Sequence, residues 1–227
     1  MKKGGIILRI TVAIDGPAGA GKSTIAKMVG NKFNLMYINT GAMYRAITLK
    51  AMEMKISSNN IQALCKLIDG LEMHFENDKL ILNGENVEDK ITMPIISQNV
   101  SEYAAVSEVR EKLVFLQRKM SERYNVIMDG RDIGTVVLKD APFKFYLTAS
   151  PEERANRRYI ELKNKNLDVQ YDKILQEIKE RDYVDSNRKI NPLRKAEDAI
   201  EIDTTYLNIE EVIDKICRHI SKQLYNK

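Results

Sequence analysis

Nine consecutive residues, Gly16-Pro17-Ala18-Gly19-Ala20-Gly21-Lys22-Ser23-Thr24, fit the pattern G-x-x-x-x-G-K-[ST]. Glycines at this spacing let backbone N–H groups converge on phosphate oxygens, and a helix starting behind them adds partial positive charge. In this pattern Lys22 reaches the β- and γ-phosphates, and the Ser23 hydroxyl is a ligand for Mg²⁺. The surroundings agree. The apolar run 10–14 reads as a buried strand, and Ile25, Met28 and Val29 follow at helical spacing. Strand, glycine-rich loop and helix in that order imply a site for a nucleoside triphosphate.

Four other groups of residues could act beside it. Asp129-Gly130-Arg131-Asp132 ends the apolar run 126–128, so these polar groups emerge at a carboxyl end of a sheet, where open parallel sheets bind ligands. Asp129 could hold Mg²⁺ through water and Arg131 could clamp a phosphate; an ordinary turn with an Asp–Arg pair would look the same. Arg154, Arg157 and Arg158 share a helix face behind Ser150-Pro151-Glu152-Glu153, a capping box with proline at the first helical position. They suit a flap that closes cations over a phosphoryl group, or a plain solvated face. Arg181, Asp185 and Arg188 recur at helical spacing, which by itself describes a surface ion pair of little worth. Thr40-Gly41-Ala42-Met43-Tyr44-Arg45 could bring a hydroxyl, a ring and a guanidinium to the same edge.

The elements that must position these groups are legible as an alternation. Short apolar runs at 10–15, 36–39, 126–129, 143–148 and 199–203 read as parallel strands separated by helices. Val106, Val109, Leu113, Leu116 and Met120 form one buried helical stripe, and Val212, Ile213, Ile216 and Ile220 another, opened by Asn208 and Glu211. One segment departs from the alternation. Leu71, Met73 and Phe75 alternate with polar residues, Asn77-Asp78 marks a turn, and Leu80-Ile81-Leu82 returns before Asn83-Gly84: a hairpin or meander inserted in the α/β chain as a satellite lobe.

Composition narrows the class. The 227 residues suffice for a sizeable core. The net charge of +4, from 36 basic and 32 acidic residues, is too small and scattered to argue for nucleic acid. Two cysteines, Cys65 and Cys217, and two histidines make no zinc site and fit a reducing compartment. The leading apolar run stops at Arg9, and no apolar stretch is long enough to span a bilayer. A soluble, cytoplasmic protein is expected.

Together, these segments resemble the bacterial cytidylate kinases of the nucleoside monophosphate kinase family. The resemblance spans nearly the whole chain: the glycine-rich loop 16–24, the stretch 40–45, Asp129-Gly-Arg-Asp-Ile-Gly-Thr-Val-Val137, Arg181-Asp-Tyr-Val-Asp-Ser-Asn-Arg188 and Asp203-Thr-Thr205. It implies a five-stranded parallel-sheet P-loop kinase core with helices on both faces, a β-containing monophosphate-binding insert and a short helical lid. It further implies one domain over 1–227, with the insert at about 41–105 and the lid at about 152–168. ATP with Mg²⁺ would be the donor, CMP or dCMP the acceptor, and the enzyme a monomer. By the same resemblance Arg45, Arg131 and Arg188 clamp the acceptor phosphate, with Thr40 and Tyr44 in its pocket. Ser101, Arg110 and Asp132 read cytosine, Arg181 with Asp185 holds the ribose, and Arg154, Arg157 and Arg158 form the lid. Thr40 stands where a serine is more usual, which keeps the hydroxyl.

Two other classes are open to the residues alone. A nucleotide-dependent switch would need a guanine reader of the form Asn-Lys-x-Asp, but in Asn164-Lys165-Asn166-Leu167-Asp168 the Asp comes one residue late. A kinase with another acceptor, such as uridine or adenosine monophosphate or a small metabolite, would share the loop.

Overall fold

The computed structural model describes residues 9–225 and, ahead of them, the backbone of two short antiparallel strands, β1 (Lys2–Lys3) and β2 (Ile6–Ile7). The reading of the leading segment 1–8 as too short for a signal otherwise lies outside the described residues.

Five parallel strands make the main sheet: β3 (Thr11–Asp15), β4 (Met36–Asn39), β8 (Val126–Gly130), β9 (Phe143–Thr148) and β10 (Ile200–Asp203), in the order β10-β9-β3-β8-β4. These are the runs expected, with ends moved by one residue at β3, β8 and β10. Successive side chains point to opposite faces, so Val12 and Ile14 pack with Ile127, Phe145 and Leu147, while Ala13 joins Val126 and Met128 on the other side. Ile25 and Val29 of α1 (Lys22–Phe33) and Val212, Ile216 and Ile220 of α9 (Ile209–Tyr225) cover the first face. Met43 and Ile47 of α2 (Thr40–Glu53) and Val109 and Leu113 of α6 (Ser107–Arg123) cover the second. The strand order reverses at β3, whose neighbours β8 and β9 both come later in the chain. In open parallel sheets such a reversal leaves a crevice at the carboxyl ends of the strands.

The insert follows α3 (Ile61–Asp69) as a three-stranded meander of β5 (Met73–Glu76), β6 (Lys79–Leu82) and β7 (Glu85–Asn86). Its turns are Asn77-Asp78 and Asn83-Gly84. All four residues have positive φ, the conformation that two-residue hairpins require and that Asn, Asp and Gly tolerate. Phe75, Leu80 and Leu82, with Ile91 of α4 (Glu88–Ile91), belong to the same apolar cluster as Met43 and Ile47. The insert's core therefore continues into that of the sheet. α5 (Pro94–Ala104) leads from it into α6.

Two helices stand apart. α7 (Pro151–Asn164) and α8 (Tyr171–Asn187) pair along their own apolar seam of Ala155, Leu162, Ile174 and Ile178. Ser150 caps α7 by accepting from the Glu153 N–H, but Glu153 does not reciprocate; its carboxylate accepts from Arg157 Nε at 2.8 Å. Ahead of α9 the box is complete: Asn208 N–H donates to the Glu211 carboxylate and Glu211 N–H to Asn208 Oδ1. Among the described residues no helix is long and apolar enough to cross a membrane.

Candidate active site

The glycine-rich loop leaves β3 through Gly16 at φ 147°, where a Cβ would sit 1.9 Å from the Leu147 carbonyl oxygen of β9. Only glycine fits so close a strand. Gly21, at φ 81°, opens α1. Lys22 is buried, and its ammonium donates to the Pro17 carbonyl at 2.6 Å across the loop. Ser23 Oγ donates to Asp129 Oδ2 at 2.8 Å, and Tyr37 OH donates to the other carboxylate oxygen at 2.9 Å. Pro17 and Ala20 are buried, whereas Gly19 and Thr24 are exposed. Thr40 Oγ1 donates to the Asp129 carbonyl at 2.7 Å, so its hydroxyl ties α2 to β8 instead of standing free at the edge. Asn39 caps α2, accepting from the Ala42 N–H.

Beyond the loop lies a cluster of arginines and carboxylates. Asp185, buried on α8, accepts from Arg131 Nε at 2.8 Å; Arg188 Nη1 stands 3.8 Å away and Arg181 Nε 3.9 Å. The helical pair Arg181–Asp185 is thus the looser one, and the carboxylate's main partner lies 54 residues back in the chain. Asp132, also buried, accepts from Arg110 Nη2, with Arg188 Nη2 at 3.6 Å. Arg110 lies over the Tyr44 ring at 5.3 Å and donates through Nη1 to the carbonyl of Ala104, three residues beyond Ser101 on α5. Arg45 lies beside Gly41 on α2.

Burial, and then their neighbours' charge, works against several of these cations. Burial first, then the field of Arg131, holds the Lys22 ammonium well below its ordinary range and takes Arg181 down to about 10. Burial also lowers Arg45 and, together with Arg110, Arg188. Burial opposes charge on Arg131 too, but there the carboxylates of Asp185, Asp129 and Asp182 together more than offset it. Burial raises the Tyr44 hydroxyl to about 12. Arg45 Nε, Arg110 Nε, Arg181 Nε and Arg188 Nη2 are buried with no hydrogen-bond partner among the described residues. An anion with several oxygens would satisfy them and relieve the mutual repulsion.

The α7 arginines divide. Arg154 is buried, donating to the carbonyls of Ala149 at 2.9 Å and Ala18 at 3.1 Å and to Asp182 Oδ2 at 2.6 Å. Arg157 donates to Thr204 through both terminal nitrogens and lies 4.0 Å from where a Cβ on Gly21 would stand. Arg158 instead pairs along the helix with Glu161 at 2.7 Å. The structure therefore brings Arg154 and Arg157 to the loop, while Arg158 contacts its own helix.

Ser23 and Asp129 offer adjacent oxygens suited to Mg²⁺. Among the described residues no group of three or more His, Cys, Asp or Glu could hold a metal. That donor set fits an ion completed by water and substrate phosphates, the usual habit of Mg²⁺.

The family model described as cytidylate kinase matches residues 12–222. The chain belongs to the cytidylate kinase family. It is an enzyme, a nucleoside monophosphate kinase. The cytidylate kinase of Clostridium acetobutylicum is 66% identical over 217 residues, 96% of this chain and 100% of that one. That of Clostridium perfringens is 68% identical over 213 residues, 94% of this chain and 98% of its own. A solved structure of an uncharacterized protein from Eubacterium ventriosum shares the fold at TM-score 0.51 and 15% identity, covering 95% of this chain and 99% of that one.

Sequence reading alone passed over four residues of this kinase. Asp15, at the end of β3, accepts from the N–H groups of Ile133 at 2.8 Å and Gly134 at 2.7 Å. It thereby seats the π-helical turn Ile133–Val137, and burial takes its carboxyl up to about 7. Tyr37 reads as a core strand residue until its hydroxyl is seen on Asp129. Asp182 and Thr204 accept hydrogen bonds from Arg154 and Arg157. The one local signal was an acid immediately before the loop glycine; the other three partners come from distant segments.

Proposed function

We propose that this enzyme transfers the γ-phosphoryl group of ATP to CMP or dCMP, giving ADP and CDP or dCDP. The observation that carries the reading is the set of four buried guanidinium nitrogens with no hydrogen-bond partner among the described residues: Arg45 Nε and Arg188 Nη2 for an acceptor phosphate, Arg181 Nε for the ribose and Arg110 Nε for the base. The loop 16–24 takes the ATP phosphates, with Arg154 and Arg157 alongside and Arg158 swinging in as the arm closes. Ser23 and Asp129 would hold Mg²⁺, which neutralises charge on the β- and γ-phosphates when bound. Arg45, Arg131 and Arg188 hold the acceptor phosphate, Tyr44 walls its pocket, and Arg181 with Asp185 takes the ribose.

The acceptor oxygen is already anionic, so no strong base is needed. It attacks the γ-phosphorus as the bond to the β-phosphate oxygen breaks, while Lys22 and Arg131 stabilise the charge spread over the transferring group. Closure of the arm at about 152–168 toward the insert at about 41–105 would exclude water.

Cytosine presents acceptors at O2 and N3 and a donor at its amino group. Arg110 supplies donors and Asp132 an acceptor, and Ser101 would add its hydroxyl from α5, the helix whose Ala104 carbonyl accepts from Arg110. Uracil reverses two of these positions and leaves buried groups mismatched. Presenting CMP, dCMP, UMP and AMP with ATP and following ADP release tests the assignment. CMP and dCMP should turn over well and UMP poorly; a preference for UMP or AMP would overturn it.

A further inference from the structure

α8 carries Arg181 and Asp185 toward the acceptor cluster, and between them Asp182 faces Arg154 of α7. Its Oδ2 accepts from Arg154 Nη2 at 2.6 Å, while its Oδ1 is buried with no hydrogen-bond partner among the described residues. Arg154 is itself 3% exposed and presses on the phosphate loop twice. Its Nη1 donates to the Ala18 carbonyl, and its Cβ lies 3.0 Å from where a Cβ on Gly19 would stand. The other anchor of the guanidinium, the Ala149 carbonyl, is neutral. Asp182 is thus the carboxylate that sets both the charge balance and the aim of a cation wedged against the loop.

Burial of Arg154 calls for a counter-charge. A carboxylate present only to neutralise it would not need to keep its second oxygen buried and without a hydrogen bond. We propose that Asp182 is a positioning residue for the donor nucleotide: through Arg154 it fixes the shape of the loop around Ala18 and Gly19, so that α8 serves both substrates. This rests on the reading of Arg154 as a donor-side residue.

The test is a double-mutant cycle with the full enzyme, measuring KM for ATP, KM for CMP and kcat in Asp182→Asn, Arg154→Gln and the pair. Asp182→Asn should raise KM for ATP about tenfold with KM for CMP within twofold, and in the Arg154→Gln background it should add nothing. Equal losses in both backgrounds would mean that Asp182 does not act through Arg154. A lower melting temperature with unchanged KM for ATP would make the pair a structural tie between α7 and α8. A rise confined to CMP would move Asp182 to the acceptor side. Any of the three overturns the proposal. Should Asp182→Asn fail to fold, Asp182→Glu keeps the charge while displacing it, and the same comparison decides. An Arg154→Gln variant with normal KM for ATP is a separate result, and it would overturn the donor-side reading itself.

Discussion

The two halves of the site are built on different plans. The proposed donor half is a loop of nine consecutive residues, with Arg154 and Arg157 of α7 against it. The proposed acceptor half draws side chains from α2, α5, α6, the end of β8 and the end of α8, with Tyr44 and Arg188 separated by 144 residues. Their internal bonding differs too. In the loop, Lys22 and Ser23 already have partners in Pro17 and Asp129. In the proposed acceptor cluster four guanidinium nitrogens have none among the described residues. A site made of backbone is stable as it stands, because its geometry comes with the turn. One made of converging arginines stays under electrostatic stress until an anion arrives.

That contrast can be broken by experiment. The largest effect is expected at Lys22, the only side-chain cation within the loop itself. Lys22→Ala should lower kcat by roughly 10²-fold or more through loss of a preorganised charge. Near-normal turnover with an unchanged circular dichroism spectrum would show that the loop is not where the phosphoryl group moves.

Arg188→Ala should leave KM for ATP within twofold and lower kcat/KM for CMP about 10- to 150-fold, the range for losing a charge-assisted hydrogen bond of about 1.5–3 kcal/mol. If ATP binding collapsed instead, the two halves would not be separable. A subtler change is expected at Asp132. Asp132→Ala strands Arg110, so both pyrimidines should suffer. The ratio of kcat/KM for CMP over UMP should also fall about tenfold, the worth of one base-reading pair. Equal losses would place base selection elsewhere.

The smallest effect concerns the joint between the halves. Asp15 is held at about 7 in the folded protein against 3.8 for a free aspartate, chiefly by burial. The folded state therefore binds a proton more tightly than the unfolded one. The stability this contributes is complete below about 3.8 and is lost as pH rises through about 7. Melting temperatures from pH 4 to pH 8 should fall more steeply for the wild type than for Asp15→Asn. Parallel curves would show that the carboxyl is already ionised at low pH, held by its two N–H donors.

Much of this architecture could be read before any coordinates. The strands carry apolar runs, the helices carry stripes, and the two Asn-led turns of the insert advertise their positive φ values. The relation of Arg181 to Asp185 shows where such reading stops. Spacing puts them on one face, yet the tighter ion pair is with Arg131, which no helical period could reveal. Thr40 illustrates a second kind of difference. A hydroxyl after a strand looks available, but the Asp129 carbonyl claims it once β4 and β8 lie side by side.

By itself the sequence determined what is local: the loop that turns on Gly16 and Gly21, the strands and helices that flank it, and the chemical types gathered for a phosphate. Each depends on neighbours within a few residues, whose backbone preferences and periodicity act before the chain has folded. Only the tertiary structure decided which carboxylate answers which cation. It set Asp15 under the π-helical turn, Tyr37 and Ser23 on Asp129, and Asp182 behind Arg154. Those pairings depend on strand order and on how α8 lies against the sheet, and in a buried site a displacement of an ångström or two changes which partner a charge can reach.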